Sequence, residues 1–311
     1  MSELTIEVTD DFARAVREGL SQPQKTVPPR FFYDRRGSEM FEEITRQPEY
    51  YPTRVETALL RAHADDIARL AGTHLPVVEF GAGSATKTPL LLRAVHAPTY
   101  VAVDISGDFL TAATADLGRE FPGVNIVAVP ADFTRPMDLP KLQHPLIGFF
   151  PGSTIGNFTH AEAVDLLRSF RATLGRSARL VIGLDTRKNP GLLEAAYDDA
   201  NGVTAAFNLN LLHRMNRELD GTIDVDSFEH RAWWHDGFGR IEMHLMAMRD
   251  MQFRVAGRVF SMREGETIHT ENSHKYTHEE TRLLARVSGW EPMAGWTDAE
   301  GLFSLQVWSS T

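Results

Sequence analysis

Short apolar runs alternate with longer amphipathic stretches through the middle of the chain. Each run is too short for a helix and is bounded by turn residues, which is typical of a buried strand. The intervening stretches repeat apolar residues at helical spacing. Strands and helices in alternation predict an α/β fold with a mostly parallel sheet, closed by two C-terminal strands as an antiparallel pair. The seven predicted strands of this sheet are residues 77–80, 99–103, 124–129, 146–150, 178–185, 290–296 and 303–308.

Residues 186–276 interrupt this alternation. The spacing of apolar residues over 192–212 predicts one long helix. Beyond it, apolar and polar residues alternate with a period of two, which predicts antiparallel strands of a small added sheet. The N-terminal region also lies outside the α/β pattern, because a helix over residues 4–21 is followed by irregular, proline-rich segments. These two regions therefore predict an α+β addition to the main fold.

The turn Gly81-Ala82-Gly83 directly follows the first predicted strand, and a helix is predicted to start at Thr86. Glycine reaches backbone angles that cost other residues free energy. A strand, a glycine turn and a helix N-terminus form a cradle for a ligand with a ribose or an anionic group. Thr86 stands where the dinucleotide fingerprint has its third glycine. The turn therefore favours a nucleotide-like cofactor without a pyrophosphate.

Acidic residues follow the next two predicted strands. Asp104 comes about 20 residues after Gly83, where an acid accepts hydrogen bonds from ribose hydroxyls. Asp132 and Phe133 follow the third strand. With Glu79 before the turn, this order resembles S-adenosylmethionine-dependent methyltransferases. The resemblance implies that the glycines admit the methionine portion of the cofactor, and that the Asp132–Phe133 pair binds adenine.

Composition narrows the class of protein further. The net charge is −10 and the isoelectric point about 5.6, so the phosphate backbone of a nucleic acid is not an expected partner. We expect no membrane association, because no apolar run approaches 18 residues, and the N-terminus lacks a signal-peptide pattern. Zero cysteines exclude disulfides and thiolate catalysis. The sequence therefore predicts a cytoplasmic enzyme, and the lack of a heptad pattern favours a monomer.

Six of the twelve histidines fall into two groups. One group, in the added sheet, is His230, His235 and His244, and the other is His269, His274 and His278. Neither group has the HExxH spacing of a zinc site, and no cysteine supports it. We predict no metal.

Several segments occur together and in order that resemble one family closely. They are FFYDRRGSEMFEEIT, QPEYYPTR, PGSTIGN, AYDDANGVTAAFN and TENSHKY. The chain is similar, from about Phe12 to its C-terminus, to the histidine-specific N-alpha-methyltransferases of ergothioneine biosynthesis. The resemblance implies a Rossmann-like class I methyltransferase fold. It also implies trimethylation of the alpha-amine of L-histidine to hercynine, with S-adenosyl-L-methionine as cofactor and S-adenosyl-L-homocysteine as product.

The resemblance also assigns the substrate-binding residues. It implies that Asn157 and Tyr197 hold the substrate carboxylate and that Glu271 and Ser273 bind the imidazole. A carboxylate accepts from a ring N–H, while a hydroxyl can donate or accept at the other nitrogen. Tyr33 corresponds to a residue near the substrate amine. From the residues alone, Asn157 would be a helix cap and residues 270–273 a polar loop.

On the cofactor side, the resemblance implies that Tyr51, Gly81 and Lys87 contact S-adenosylmethionine. Lys87, one helical turn inside the loop, would meet the methionine carboxylate. Phe207 is a further candidate, as an aromatic wall that attracts a quaternary ammonium. The expected division of the chain follows from these assignments: residues 57–186 and 277–311 form the cofactor domain, and residues 1–56 and 187–276 form a substrate domain over the mouth of the cofactor cleft.

Three other interpretations stay open. One is an N-methyltransferase for another aromatic amino acid, such as a tryptophan derivative, against which Glu271 argues because indole has only one N–H. Another is a nicotinamide-dependent dehydrogenase, which would share the sheet but lacks the third glycine. The last is a non-catalytic amino-acid sensor. No residue can be assigned as a general base, so we expect alignment by Tyr33 and Asn157, with water taking the proton.

Overall fold

The computed structural model describes residues 3–135 and 137–311, with backbone only for residues 3–9 and 108. None of the described helices has the length and apolar character needed to cross a bilayer. In chain order, the helices are α1 (Glu3–Leu20), α2 (Arg35–Ile44), α3 (Tyr51–Ala62), α4 (Ala64–Ala71), α5 (Thr88–Val95), α6 (Gly107–Glu120), α7 (His160–Leu174), α8 (Pro190–Tyr197), α9 (Val203–Glu218) and α10 (His278–Val287). The strands are β1 (Lys25–Thr26), β2 (Val77–Phe80), β3 (Thr99–Asp104), β4 (Asn125–Pro130), β5 (Ile147–Phe150), β6 (Arg179–Asp185), β7 (Phe228–His235), β8 (Arg240–Ala247), β9 (Met251–Val255), β10 (Arg258–Met262), β11 (Thr267–His274), β12 (Trp290–Thr297) and β13 (Phe303–Ser310).

The chain divides into two compact units. The first comprises the residues up to Tyr50 together with Asn189–Asn272, and the second comprises Tyr51–Lys188 and Ser273–Thr311. The predicted boundary after residue 56 falls inside α3, whereas the second unit starts at the first residue of that helix. We call them the added unit and the sheet unit.

The sheet unit contains a seven-stranded sheet in the order β12-β13-β6-β5-β2-β3-β4. Strands β2 to β6 pair in parallel, and β13 pairs antiparallel with both β6 and β12. This is the predicted fold class, with all seven predicted strands in place. The strand order reverses between β2 and β5, and in open α/β sheets ligands bind outside the carboxyl ends of the strands at such a point.

Both faces of this sheet are buried, which explains why its central strands are continuous apolar runs. Successive residues point to opposite faces. Val77 and Tyr100 belong to the core on the side of α3, α4 and α5, whereas Val78 and Val101 belong to the core under α7 and α10. The edge strand β4 is partly exposed. The apolar pattern thus places the carboxyl ends of β2, β3 and β6 at one edge.

The added unit contains a four-stranded sheet in the order β1-β11-β8-β7 and a separate hairpin of β9 and β10. Strand β1 pairs in parallel with β11, and β7 pairs antiparallel with β8. The polar segment around Glu271 is therefore a strand, and the interpretation as a loop is wrong. Its partners lie far along the chain, and pairing with them on both sides outweighs the weak strand propensity of Glu, Asn and Ser.

The single helix predicted over residues 192–212 is also wrong, because the chain breaks between α8 and α9. Gly202 has a φ of +69°, which a helix does not allow. The Asp199 carboxylate accepts hydrogen bonds from the backbone N–H groups of Val203 and Thr204, at 3.0 and 2.7 Å. It thereby satisfies donors that a helix start leaves without partners. Two separate helices result.

Candidate active site

The glycine turn after β2 is shaped by two residues with positive φ. Gly81 has a φ of +74° and Gly83 of +52°. The Gly83 N–H donates to Asp104 Oδ2 at 2.9 Å, and the Ser106 N–H donates to Oδ1 at 2.9 Å. Burial raises the pKa of Asp104. A Cβ on Gly83 would meet no atom within 4 Å. The turn and the acid are thus fixed together beneath open space, which fits a ribose.

Phe133 also lies at this turn. A Cβ built on Gly81 would come within 3.3 Å of Phe133 Cε1, and the Phe133 ring makes an edge contact with Phe150 at 5.7 Å. Asp132, the residue before Phe133, accepts at Oδ1 from the backbone N–H of Thr134 at 2.9 Å, and this hydrogen bond holds Asp132 in a tight turn. The structure therefore brings Gly81, Gly83, Asp104 and Phe133 together at the carboxyl ends of β2 and β3.

Beneath the turn, Glu79 is fully buried on β2. Its Oε2 accepts from Thr88 Oγ1 at 2.6 Å and from the Tyr100 hydroxyl at 2.7 Å. Because Thr88 is the first residue of α5, this acid links the strand before the turn to the helix after it. Burial raises the pKa of Glu79 to about 7.

Replacing Glu79 by glutamine is expected to flatten the pH dependence of stability. An unfolded glutamate has a pKa near 4.5, so between pH 4.5 and 7 the folded protein holds a proton that the unfolded chain has lost. The free energy of unfolding therefore falls as the pH rises through that window. The loss amounts to about 3 kcal/mol. Urea unfolding of Glu79→Gln between pH 5 and 8 should lack this slope. An unchanged slope would show that Glu79 does not cause it.

Lys87 precedes α5 and does not lie inside it, so the predicted start of this helix at Thr86 is wrong by two residues. Its ammonium forms an ion pair with Glu56 on α3, and the side chains of Lys87 and Glu56 are 12% and 0% exposed. The Glu56 oxygens also accept from the Gly152 N–H, at 3.1 and 2.9 Å. Glu56 thus joins the cofactor turn to the segment after β5.

A second buried cluster lies where β6 ends. The Tyr51 hydroxyl lies 2.9 and 2.8 Å from the two Asp185 oxygens and accepts from Lys188 Nζ at 2.7 Å. Asp185 also pairs with Lys188 at 2.5 Å and with Lys275 at 2.7 Å. Lys275 Nζ in turn donates to Ser273 Oγ at 2.7 Å. Two predicted site residues, Tyr51 and Ser273, are therefore connected through one aspartate and one lysine.

This cluster places the ammonium groups of Lys188 and Lys275 on one carboxylate in an almost dry environment. The side chains of Asp185, Lys188 and Lys275 are 1%, 8% and 0% exposed. Burial alone would raise the pKa of Asp185, but Lys275 and Lys188 hold it below its usual value. Burial lowers the pKa of Lys188 to about 8.

Asn157 ends a short 3₁₀ turn over Thr154–Asn157, next to the cofactor edge of the sheet unit. The interpretation as a helix cap is wrong, because Thr159 caps α7 in a reciprocal capping box with Glu162. Within residues 3–135 and 137–311, the Asn157 side chain makes no hydrogen bond. A half-buried amide in this state is suited to a ligand.

In the added unit, aromatic rings form a continuous cluster around two predicted site residues. Tyr33 contacts Phe207 at 5.9 Å and Phe41 at 5.8 Å between ring centroids. Phe41 contacts Tyr50, which contacts Tyr197 at 6.3 Å. The Tyr197 carbonyl oxygen lies 2.9 Å from His230 Nε2. The structure therefore brings together Tyr33, Tyr197 and the cation–π candidate Phe207.

Glu271 is buried on β11, two residues before Ser273, and side chains two apart on a strand share a face. His269 precedes it on the same face, and its Nε2 lies 3.1 Å from the Glu271 carbonyl oxygen. The rings of Trp233, His244 and His269 stack in sequence, with centroids 4.2 and 4.6 Å apart. This stack supports the middle of the strand that carries Glu271.

Glu242, His244 and His269 place one ligand atom each within 4.8 Å of one another, uniting histidines from the two sequence groups. The His244 and His269 rings are nearly parallel, at 9°. Parallel rings cannot both direct an in-plane lone pair at one ion. Arg240 moreover donates twice to Glu242. Burial lowers the pKa of His244 to about 4, so the ring is neutral at pH 7. The arrangement suits stacking better than metal binding.

Sequence reasoning missed Glu56, Asp185 and Lys275. One signal was available for Glu56, because it lies on the same helical face as the buried Leu59 and Leu60. A carboxylate there must find a buried partner. Asp185 ends a buried strand at the ligand-binding edge, which was a weaker signal. Nothing in the sequence linked Lys275 to it.

The strand order, the reversal between β2 and β5 and the glycine turn fastened to Asp104 together define a class I S-adenosylmethionine-dependent methyltransferase fold. Residues 12–310 match the family described as "Histidine-specific methyltransferase, SAM-dependent", and the chain belongs to this family.

Three relatives illustrate its range. Histidine N-alpha-methyltransferase of Mycolicibacterium smegmatis is 40% identical over 301 residues, covering 94% of this chain and 93% of the relative. Ergothioneine biosynthesis protein 1 of Neurospora crassa is 27% identical, covering 88% of this chain and 32% of that protein. 4-Dimethylallyltryptophan N-methyltransferase of Aspergillus fumigatus is 28% identical, covering 91% of this chain and 88% of that protein.

Proposed function

We propose that the chain trimethylates the alpha-amino group of L-histidine with S-adenosylmethionine, giving hercynine in the first step of ergothioneine biosynthesis. The observation that carries this proposal is the 40% identity to a histidine N-alpha-methyltransferase over nearly the whole of both chains. The sequence segments that resemble histidine-specific enzymes extend through both units, so they include more than the cofactor fold. Similarity to an ergothioneine biosynthesis protein supports the pathway.

The residues of the sheet unit fit the cofactor. Asp104, held by the Gly83 and Ser106 N–H groups, presents its remaining lone pairs to ribose hydroxyls. Phe133, packed at Gly81, offers an apolar surface and a backbone amide for adenine. We assign Tyr51 and Lys87 to the methionine portion, whose carboxylate the Lys87 ammonium would bind. When bound, the cofactor supplies a methyl group activated by a sulfonium.

For the amino acid, we assign Asn157 and Tyr197 to the carboxylate, Glu271 and Ser273 to the imidazole, and Tyr33 to the amine. Methyl transfer is an in-line displacement, and a misplacement of about 1 Å costs on the order of 100-fold in rate. Holding the carboxylate and the ring at once fixes the amine between them. Phe207, beside Tyr33, gives a growing quaternary ammonium an aromatic face.

The amine must lose its proton before each transfer, because a protonated amine has no lone pair. No carboxylate or histidine has been assigned to this step, so we propose that water takes the proton and that the protein supplies alignment. We further propose that the sheet unit is the cofactor-binding domain and the added unit the main amino-acid-binding domain, and that the protein acts as a monomer.

Incubation of the purified chain with histidine and S-adenosylmethionine tests the function. Mass spectrometry should show products heavier by one, two and three methyl groups, ending in the trimethylated form. Equimolar tryptophan, 4-dimethylallyltryptophan and other amino acids in the same tube serve as competitors. Histidine should be consumed at least 100-fold faster, because a site built around a ring N–H discriminates strongly.

Preferential methylation of a tryptophan derivative would instead support the second candidate, which the relative from Aspergillus fumigatus favours. Absence of any methylated amino acid would contradict both candidates.

A further inference from the structure

Glu56 is a fully buried carboxylate of the sheet unit that the cofactor chemistry does not use directly. It projects from α3, with a side-chain exposure of 0%, and binds two groups from separate parts of the chain. One is the Lys87 ammonium, beside the cofactor turn. The other is the Gly152 N–H, at 2.9 Å from Oε2. Lys87 Nζ also lies 3.6 Å from the position of a Cβ on Gly152.

The surrounding backbone is shaped to admit this carboxylate. Gly183, in the middle of β6, faces it so closely that a Cβ there would lie 2.0 Å from Glu56 Oε1. Glycine weakens a strand interior and often marks a close approach of other atoms. The Glu56 carboxylate makes the closest approach here, and Phe303 Cε1 would lie 3.0 Å from the same Cβ. Gly183 therefore indicates that space in the sheet is reserved for the Glu56 side chain.

We propose that Glu56 is a positioning residue that transmits cofactor binding at Lys87 to the segment 151–157, which carries Asn157. The proposal rests on the assignment of Lys87 to the cofactor and Asn157 to the substrate in the proposed function. Lys87 divides its hydrogen bonds between Glu56 and any anion that binds beside it. When the cofactor carboxylate accepts a hydrogen bond from the Lys87 ammonium, the charge of Glu56 is less neutralised by Lys87. The charge-assisted hydrogen bond from the Gly152 N–H to Glu56 then strengthens.

The segment that responds is otherwise held locally. The Gly156 N–H donates to the Ser153 carbonyl at 2.8 Å, and Ser153 Oγ accepts from the Asp185 N–H at 2.9 Å. Gly156 itself is packed so closely that a Cβ would lie 2.8 Å from the His274 carbonyl oxygen. A change at Gly152 is therefore passed along a compact turn to Asn157.

Hydrogen–deuterium exchange of residues 151–157, with and without S-adenosylhomocysteine, tests the proposal. In the native chain, the product should slow exchange at Gly152 by about fivefold, the equivalent of one net hydrogen bond. Glu56→Gln, which keeps the shape but loses the charge, should exchange faster without ligand and show no change when ligand is added. Exposed Glu300→Gln serves as the matched control in the same unit and should respond like the native chain.

Lys87→Met gives an independent readout, because it removes the ammonium and leaves Glu56 bound to Gly152. It should show slow exchange at Gly152 in both conditions. A native chain whose segment ignores S-adenosylhomocysteine, or a Glu56→Gln or Lys87→Met variant that responds as the native chain does, would overturn the proposal. If Glu56→Gln does not fold, Lys87→Met decides alone. The measurement needs no amino-acid substrate, so its outcome is independent of whether histidine is methylated.

Discussion

Replacing Asp185 by alanine is expected to lower the free energy of unfolding by about 5 kcal/mol, which is a large part of the stability of an ordinary domain. The substitution leaves Lys188 and Lys275 buried at 8% and 0% exposure without their shared counterion. It also removes the acceptor of the Tyr51 hydroxyl. Urea unfolding at pH 7 measures the loss.

Asp165→Ala is a matched control for this experiment. Asp165 forms an ion pair with Arg168 at the same three-residue spacing as Asp185 and Lys188, but its side chain is 77% exposed. An exposed pair contributes about 0–1 kcal/mol, so this variant should unfold like the native chain. Asp185→Asn should fall between the two, because the amide keeps one acceptor for Tyr51 and loses the charge. Equal stability of Asp185→Ala and Asp165→Ala would refute the counterion role.

Replacing Glu271 by alanine should lower kcat/KM for histidine by about 100-fold, because hydrogen bonds to charged groups contribute about 1.5–3 kcal/mol. If Glu271 accepts from the imidazole N–H, the loss should be specific to substrates that carry one. Steady-state kinetics with histidine and with an amino acid whose ring has no N–H show whether the loss is specific to ring N–H groups. The native chain should have a much higher kcat/KM for histidine than for the second substrate. Glu271→Ala should lower the ratio of these two kcat/KM values at least tenfold.

Glu264→Ala, an exposed acid in the same unit, serves as the control and should leave both substrates unaffected. A ratio that stays constant while both rates fall would show that Glu271 supports β11 and does not bind the ring. Thermal unfolding of each variant shows whether the loss of rate comes from loss of the folded protein.

The parts of the fold that were predictable depend on local patterns. Buried parallel strands such as Ile147–Phe150 are apolar throughout. The turn after Phe80 has glycine at both positions that adopt a positive φ, Gly81 and Gly83. Because these signals lie within a few residues, the sheet and the cofactor edge followed from the sequence. The break after α8 did not, because the apolar spacing continues across Gly202 and the cap supplied by Asp199 is one polar residue among many.

The sites needed long-range information. Tyr51 and Asp185 are 134 residues apart, and Glu56 and Gly152 are 96 apart. No local pattern indicates such a pair. Glu271 and Ser273 had no strand signal of their own, since β11 is defined by partners from β1 and β8. Their suggested roles came from resemblance to a family, and their substrate contacts stay a prediction.

The pairing of β1 with β11 has a consequence for biosynthesis on the ribosome. Gln24 and Thr267, which join across these strands, are 243 residues apart. At a translation rate of about 5–20 residues per second, the N-terminal segment waits roughly 12–50 s for its partner to emerge. Phe32 likewise lacks its ring contact until Phe207 has been made, and Phe12 lacks its contact with Arg214. The N-terminal segment therefore completes its packing only after most of the chain has been synthesised.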